Sequence, residues 1–326
     1  MSDDSAPLDP LSLIALRHGC DKYGAHFYTS VYHELLQSRR ERVTSLLEIG
    51  VGGYQSKYLG GASLAMWAEY LPRARIVGID LHEKRLDLGD RITILQGSQD
   101  DLAFLDRVVA GHGPFDVIVD DGSHVPAHIV TSFGALFPAL SDGGLYVIED
   151  TQTAYWPDFG GGPDGGPTVS LVNDLIEGLH HQEMPSPSFV ANEFATAIRS
   201  VRVFHNLIAV EKGANTEPSN RRLDPTHPEV SRALRMFAGQ VVAAPAPKMA
   251  SYYAELLMTA GRHADALGVI ERALASAPQD LALLHSGINA ATGAGRPDKA
   301  YAFLRRAIAL APDDIWVRPG HEKPAG

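Results

Sequence analysis

The sequence has a single cysteine, Cys20, among 326 residues. One thiol excludes an internal disulfide and any thiolate metal cluster. Basic residues are also in deficit: 28 Lys and Arg stand against 39 Asp and Glu, for a formal charge of −11. That balance argues against a nucleic-acid partner, because phosphate binding needs a basic face. No apolar run reaches membrane-spanning length, and the opening "MSDDSAPLDP" lacks the apolar core of a signal peptide. The expectation is therefore a cytoplasmic protein with no membrane partner. What remains is ordinary globular material, 45% hydrophobic and 21% charged. The length suits one large domain, or a larger and a smaller one.

Strands and helices alternate along most of the chain. Residues 11–40 read as short helices, with "CDKYGAHFYTSVYHELL" between them. "VTSLLEIGVGGY" is a short apolar strand ending at Glu48, followed by a glycine-rich turn. "SLAMWAEYL" has a helical apolar pattern, "ARIVGIDL" is a strand ending at Asp80, and "ITILQGSQDD" is another strand. "LAFLDRVVA" and "VPAHIVTSFGALFPAL" read as helices. The strands "FDVIVDDGSH" and "GLYVIEDTQTAYW" follow them. This alternation predicts an α/β fold built on a parallel sheet covered on both faces. "PDFGGGPDGGP" reads as a loop and "SLVNDLIEGLHHQ" as a helix. "VRVFHNLIAVEKG" resembles a closing hairpin, which predicts an antiparallel edge strand.

Near "AAPAPK" the composition turns to alanine-rich helix. "GRHADAL" at Gly261 recurs as "GRPDKAY" at Gly295, and "ALASAPQD" recurs as "AIALAPDD", with Pro278 and Pro312 in register. The 34-residue step is that of the tetratricopeptide helix–turn–helix unit. Ala266, Ala273, Ala300 and Ala307 are small enough to let paired helices approach closely. The expected organisation is a main α/β domain over 1–240, a Pro/Ala linker over 241–250, two helical repeats over 251–316 and a tail over 317–326. Two such units bury little surface alone. They are therefore expected to pack on the main domain, to join a homo-oligomer or to contact another protein.

The glycine turn in "LLEIGVGGY" departs from the dinucleotide-binding frame: Gly50 and Gly52 fit, but Gln55 occupies the third glycine position. An acid immediately before the glycines, Glu48, is instead the pattern of S-adenosylmethionine-dependent methyltransferases. Glycines let the backbone lie against the cofactor, and an acid can accept bonds from its ammonium, directly or through water. Asp80, ending the next strand, is placed for ribose hydroxyls. Ser98 and Gln99, ending the third, are placed for adenine. Each residue alone is as readily a turn, a helix cap or a surface acid. Their ordered recurrence at successive strand ends is what points to a ligand.

Two more strands end in paired acids, Asp120–Asp121 and Glu149–Asp150. Neighbouring strands lie about 4.8 Å apart, so Asp121, Glu149 and Asp150 are expected in one small volume. Carboxylates crowded together raise one another's pKa unless a cation lies among them. Hard oxygen ligands without cysteine favour Mg2+, with Mn2+ as the alternative. His124, three residues past Asp121, is placed to accept a proton from a metal-bound hydroxyl as general base. Bland readings stand beside these: Asp121 as a helix cap, Glu149 and Asp150 as turn caps, His124 as a structural histidine. Asp120, on the opposite side of its strand, is the better candidate for a mundane role.

"LLEIGVGGY", "GGASLAMW", "VIVDDGSH", "LFPALSDGGLYVIEDTQTAYWP" and "LIAVEKG" together resemble the metal-dependent sugar O-methyltransferases of macrolide pathways. The resemblance covers roughly residues 15–213 and implies a Rossmann-like class I methyltransferase sheet. It also implies cofactor contacts at Glu48, Gly50, Gly52, Tyr54, Ser63, Asp80, Ser98 and Gln99, metal ligands at Asp121, Glu149 and Asp150, and His124 as base. The implied acceptor is a small-molecule glycoside. A phenolic or catechol acceptor suits the same chemistry. A third reading is an interaction protein that binds the cofactor and uses its helical repeats.

Overall fold

The computed structural model describes residues 7–184, 194–217, 219, 223–243 and 246–313. The expected tail over 317–326 and part of the expected linker lie outside the described residues. The chain divides into two compact units, Met1–Thr216 and Glu217–Gly326.

The first unit opens with α1 (Pro10–His18) and α2 (Thr29–Leu36). Asp9 starts α1 by accepting the amide protons of Leu11 and Ser12, each at 2.9 Å, and Pro10 occupies the first turn. Gly19, at φ 63°, ends it in the left-handed conformation that glycine adopts without strain. Then follow β1 (Ser45–Ile49), α3 (Ala62–Tyr70), β2 (Arg75–Asp80), β3 (Ile92–Gln96), α4 (Leu102–His112), β4 (Phe115–Asp120), α5 (Pro126–Leu136) and β5 (Leu140–Ile148). Helix α6 (Gly166–Leu179) and the hairpin of β6 (Ile198–Phe204) and β7 (Leu207–Lys212) complete the unit.

The seven strands form one sheet in the order β3-β2-β1-β4-β5-β7-β6. Strands β1 to β5 pair in parallel, while β7 runs antiparallel to both β5 and β6. This is a Rossmann-like sheet of the kind the resemblance implies. The expected antiparallel edge is present as the hairpin, with the reversed strand one position in from the edge. All five residues of β1 are buried, as a central strand covered on both faces requires. Leu46 faces the core beneath α1 to α3, and Leu47 and Ile49 face the core beneath α4 to α6.

This order puts the change in winding direction between β1 and β4, where an open α/β sheet leaves a crevice at its carboxyl edge. Asp121 N donates to Ile49 O at 3.0 Å, and Gly50 N donates to Ile79 O at 2.8 Å. The loops that leave β1, β2 and β4 are thereby fixed side by side.

The second unit consists of α7 (Pro228–Ala243), α8 (Pro247–Thr259), α9 (His263–Ser276), α10 (Leu281–Gly293) and α11 (Pro297–Leu310). The starts of α8 and α10, and of α9 and α11, keep the step of the sequence repeat. Helix α7 buries Val230, Leu234 and Val241 in the same core as Ala266, Ala273 and Ala307, so the residues of α7 group with the helices that follow. Among the described residues no helix is long and apolar enough to cross a membrane.

Cys20, just past α1, is 3% exposed, and burial pushes its thiol up to about 12. The native protein is therefore expected to resist iodoacetamide at about pH 8 and to react fully once unfolded. Mass spectrometry of alkylated samples reads this directly, and fast labelling of the native state would contradict the burial.

Candidate active site

A cavity of about 920 Å3 opens at the winding switch. Gly50, Gly52, Tyr54, Ser63, Asp80, Ser98 and Gln99 line one part of it, and Asp121, His124, Glu149 and Asp150 line the other. Of the residues expected at the site, Glu48 alone does not line the cavity.

The glycine loop is shaped by close backbone approach. Gly50 has φ 95°, and a Cβ there would lie 2.1 Å from the carbonyl oxygen of Asp121. Lys84 clamps the loop from outside: its Nζ donates to the carbonyls of Gly52 and Tyr54 at 2.6 Å and of Ser56 at 3.1 Å. Asp80 accepts from Val51 N at 3.1 Å and from His82 N at 2.8 Å, which orients its carboxylate at the cavity wall. Ser98 is bonded to Asp100.

Two expected cofactor contacts are tied up within the protein. Glu48 is fully buried; it accepts from Ser63 Oγ at 2.8 Å and from Trp67 Nε1 at 3.2 Å. Its connection to the cavity therefore runs through Ser63. The Gln99 amide accepts from Ser123 N at 2.6 Å and donates to Asp120 Oδ1 at 3.1 Å, which braces the turn after β4. Asp120 is buried with Ser132 and Tyr146 on its carboxylate, and burial pushes its carboxyl up to about 6. It faces away from the cavity.

The acids at the ends of β4 and β5 do meet, and the cation among them is Lys22. Its ammonium lies 2.6 Å from Asp121 Oδ2, 2.8 Å from each oxygen of Glu149 and 3.3 Å from Glu48 Oε1. Burial alone would lower the pKa of this lysine. Asp121, Glu149 and Glu48 outweigh it and hold the ammonium well above its ordinary range. Tyr32 donates to Glu149 Oε1 at 2.5 Å. Burial, together with the neighbouring Asp121, pushes the Glu149 carboxyl up.

Asp150 sits between two histidines. His124 Nε2 lies 3.6 Å from its Oδ2, and His26 Nδ1 lies 3.2 Å from its Oδ1. Burial would raise the Asp150 carboxyl, but hydrogen bonds from Tyr28 and Gln152, with the two imidazoles nearby, bring it below its ordinary value. One donor atom each from Asp121, His124 and Asp150 falls within 4.8 Å of the others. The two carboxylates suit Mg2+ or Mn2+, whereas the imidazole is a donor more usual for Zn2+ or Fe2+. Glu149, held by Lys22 and Tyr32, stands outside that group.

Sequence reasoning missed Lys22, His26 and Lys84. Lys22 and His26 belong to "CDKYGAHFY", a stretch without periodic pattern. The one signal for Lys22 was the need for a cation among the converging acids.

Residues 47–151 match the family model described as a methyltransferase domain. The tetracenomycin enzyme 8-demethyl-8-(2-methoxy-alpha-L-rhamnosyl)-tetracenomycin-C 3'-O-methyltransferase of Streptomyces olivaceus is 45% identical over 64% of this chain and 55% of its own. Mycinamicin VI 2''-O-methyltransferase of Micromonospora griseorubida is 44% identical over 64% of this chain and 53% of its own. The chain thus spans about half the length of these relatives. Among solved structures, MycE methyltransferase from the mycinamycin biosynthetic pathway, in complex with Mg and SAH, aligns with a TM-score of 0.63. Identity is 41%, over 70% of this chain and 59% of that one.

Because a Cβ at residue 50 meets backbone, Gly50→Ala is expected to displace the turn at Asp121. Strain at the positive φ adds roughly 1–3 kcal/mol of destabilisation. Gly143→Ala, at φ 76° with nothing within 4 Å and away from the cavity, incurs the dihedral cost alone. Thermal unfolding should show a larger drop in melting temperature in the first variant than in the second. Equal drops in both would show that the loop adapts.

Proposed function

We propose that the chain transfers a methyl group from S-adenosylmethionine to a sugar hydroxyl of a glycosylated natural product, assisted by Mg2+. The observation that carries this reading is the Asp121–His124–Asp150 donor group, set in the same cavity as the glycine loop and Asp80. The relatives support it, since their names describe O-methyltransferases of glycosylated tetracenomycin and of mycinamicin. MycE, solved with Mg and SAH, supports the pairing of metal and cofactor.

In this reading Asp121, Glu149 and Asp150 hold the metal, and the backbone at Gly50 and Gly52 lies along the cofactor with Tyr54 at the loop tip. Asp80 accepts from the ribose hydroxyls, and Ser98 with Gln99 borders the adenine end. Ser63, backed by Glu48, faces the amino-acid end. When bound, the metal lowers the pKa of the acceptor hydroxyl and the sulfonium supplies the methyl. His124 Nε2 takes the hydroxyl proton, and Asp150 beside it stabilises the imidazolium formed. Phe159 lies 6.3 Å from the His124 ring and 6.0 Å from the Trp156 ring, centroid to centroid. These rings give a sugar an apolar wall next to the base. The paired helices of the second unit are read as tetratricopeptide-like, a reading supported by the repeat step and by buried Ala266, Ala273 and Ala307.

One observation favours a second assignment within the same chemistry. The His124 nitrogen belongs to the three-donor group and Glu149 does not, so His124 can serve as a ligand and His26 as the base.

Turnover should require a divalent ion and vanish on exhaustive chelation; activity that survives chelation would exclude the metal. His124→Ala separates the two assignments. As base, its loss should cut turnover about 10²–10⁴-fold with Mg2+ affinity unchanged. As ligand, its loss should weaken Mg2+ binding in calorimetry, and His26→Ala should then carry the loss of rate. Near-normal turnover in both variants would leave neither histidine as the base.

A further inference from the structure

We propose that Lys22 couples the cofactor end of the cavity to its metal end, so that binding at either strengthens binding at the other. The proposal rests on the methyltransferase reading above and extends it to a residue that lines neither end.

The geometry forms a continuous buried path. Ser63 lines the cavity beside the glycine loop and donates to Glu48 Oε2 at 2.8 Å. Glu48 Oε1 lies 3.3 Å from Lys22 Nζ. The same nitrogen lies 2.6 Å from Asp121 and 2.8 Å from Glu149, both of which line the other end. Lys22 and Glu149 are 1% and 2% exposed, and Glu48 is fully buried, so water does not screen the middle of the path, while Ser63 and Asp121 at its ends are partly exposed.

An ammonium has three protons to donate. Here four carboxylate oxygens lie within 3.3 Å of it, and the Glu48 contact is the longest. The acids therefore compete for one donor. A divalent cation at Asp121 satisfies oxygens that otherwise draw on Lys22. The ammonium can then turn toward Glu48, which in turn fixes Ser63 for the cofactor. The reverse holds by linkage: a cofactor that engages Ser63 polarises Glu48, draws Lys22 toward it and frees Asp121 for the metal. Chains of hydrogen bonds in a dry interior reinforce one another in this way.

The test is the affinity of the full-length protein for S-adenosylhomocysteine, by calorimetry, in excess Mg2+ and again in EDTA. Wild type should bind at least about fivefold tighter with the metal, the lower end of typical coupling between sites. In Lys22→Met that ratio should fall to within about twofold, while Mg2+ still raises the melting temperature. Glu48→Gln cuts the path at its far end and should lose the ratio too; it decides the matter alone if Lys22→Met does not fold. A ratio of one in wild type, a wild-type ratio in the folded variants, or loss of Mg2+ binding itself in them would each overturn the coupling. Failure of wild type to bind S-adenosylhomocysteine would bring down the methyltransferase reading with it. Binding without a metal effect would bring down the coupling only.

Discussion

One ammonium buried among carboxylates is the constraint on which the rest of the site depends. The sheet order brings Asp121 and Glu149 together at adjacent strand ends, with Glu48 close behind. Two like charges about 4 Å apart repel by about 4 kcal/mol at an effective dielectric near 20, and burial adds to that. Lys22 turns this repulsion into attraction, and Tyr32, Ser63 and Trp67 satisfy the oxygens it leaves. The lysine comes from the segment between α1 and α2, so the amino-terminal helices are more than a cover for the sheet. They deliver the charge that holds the two strand ends together.

Strain gathers at the same place. Among the described residues, five other than glycine have positive φ: Phe27, Tyr54, His124, Asp150 and Asn206. Tyr54, His124 and Asp150 line the cavity, and Phe27 follows His26, which lines it too. Such conformations cost about 1–3 kcal/mol each and persist only where the surroundings fix them. For His124 the fixing contact is its own carbonyl, which accepts from Thr153 Oγ1 at 2.8 Å. For Asp150 it is the hydroxyl of Tyr28, at 2.7 Å. Asn206, at the β6–β7 turn, accepts from Thr151 N at 3.1 Å and so anchors the segment that follows Asp150. The hairpin thus stabilises the site from behind.

The sheet was legible in the sequence because each strand is a short apolar run closed by a polar residue, and that pattern is local. The acids were legible for the same reason: Asp80, Asp121, Glu149 and Asp150 follow directly from where their strands stop. Side-chain direction was harder to read. Glu48 shares its strand face with Leu46 and points to Trp67, not into the glycine loop that follows it in sequence. Gln99 turns inward because the backbone after Asp121 needs an acceptor for Ser123 N. Lys22 was out of reach of any local pattern. It lies 99 residues from Asp121 and 127 from Glu149, and no periodicity marks a residue whose role is electrostatic. Only the unbalanced charge of the acids pointed to it.

The helical unit obeys a different logic, in which neighbours along the chain supply nearly all the burial. Within each repeat the small residues allow close approach: Ala266 and Ala273 are buried on α9, and Ala307 is buried on α11. A pair of repeats exposes an apolar face at each end, which is why such arrays need additional helices to stand. Here α7 packs its apolar stripe, Val230, Leu234 and Val241, into the same core as Tyr253 and Leu257 of α8. Ser251 on α8 and Ser286 on α10, one residue out of register with the 34-residue step, bond to each other at 2.7 Å in the interior and pair the two buried hydroxyls. The helices of this unit therefore satisfy one another's buried groups.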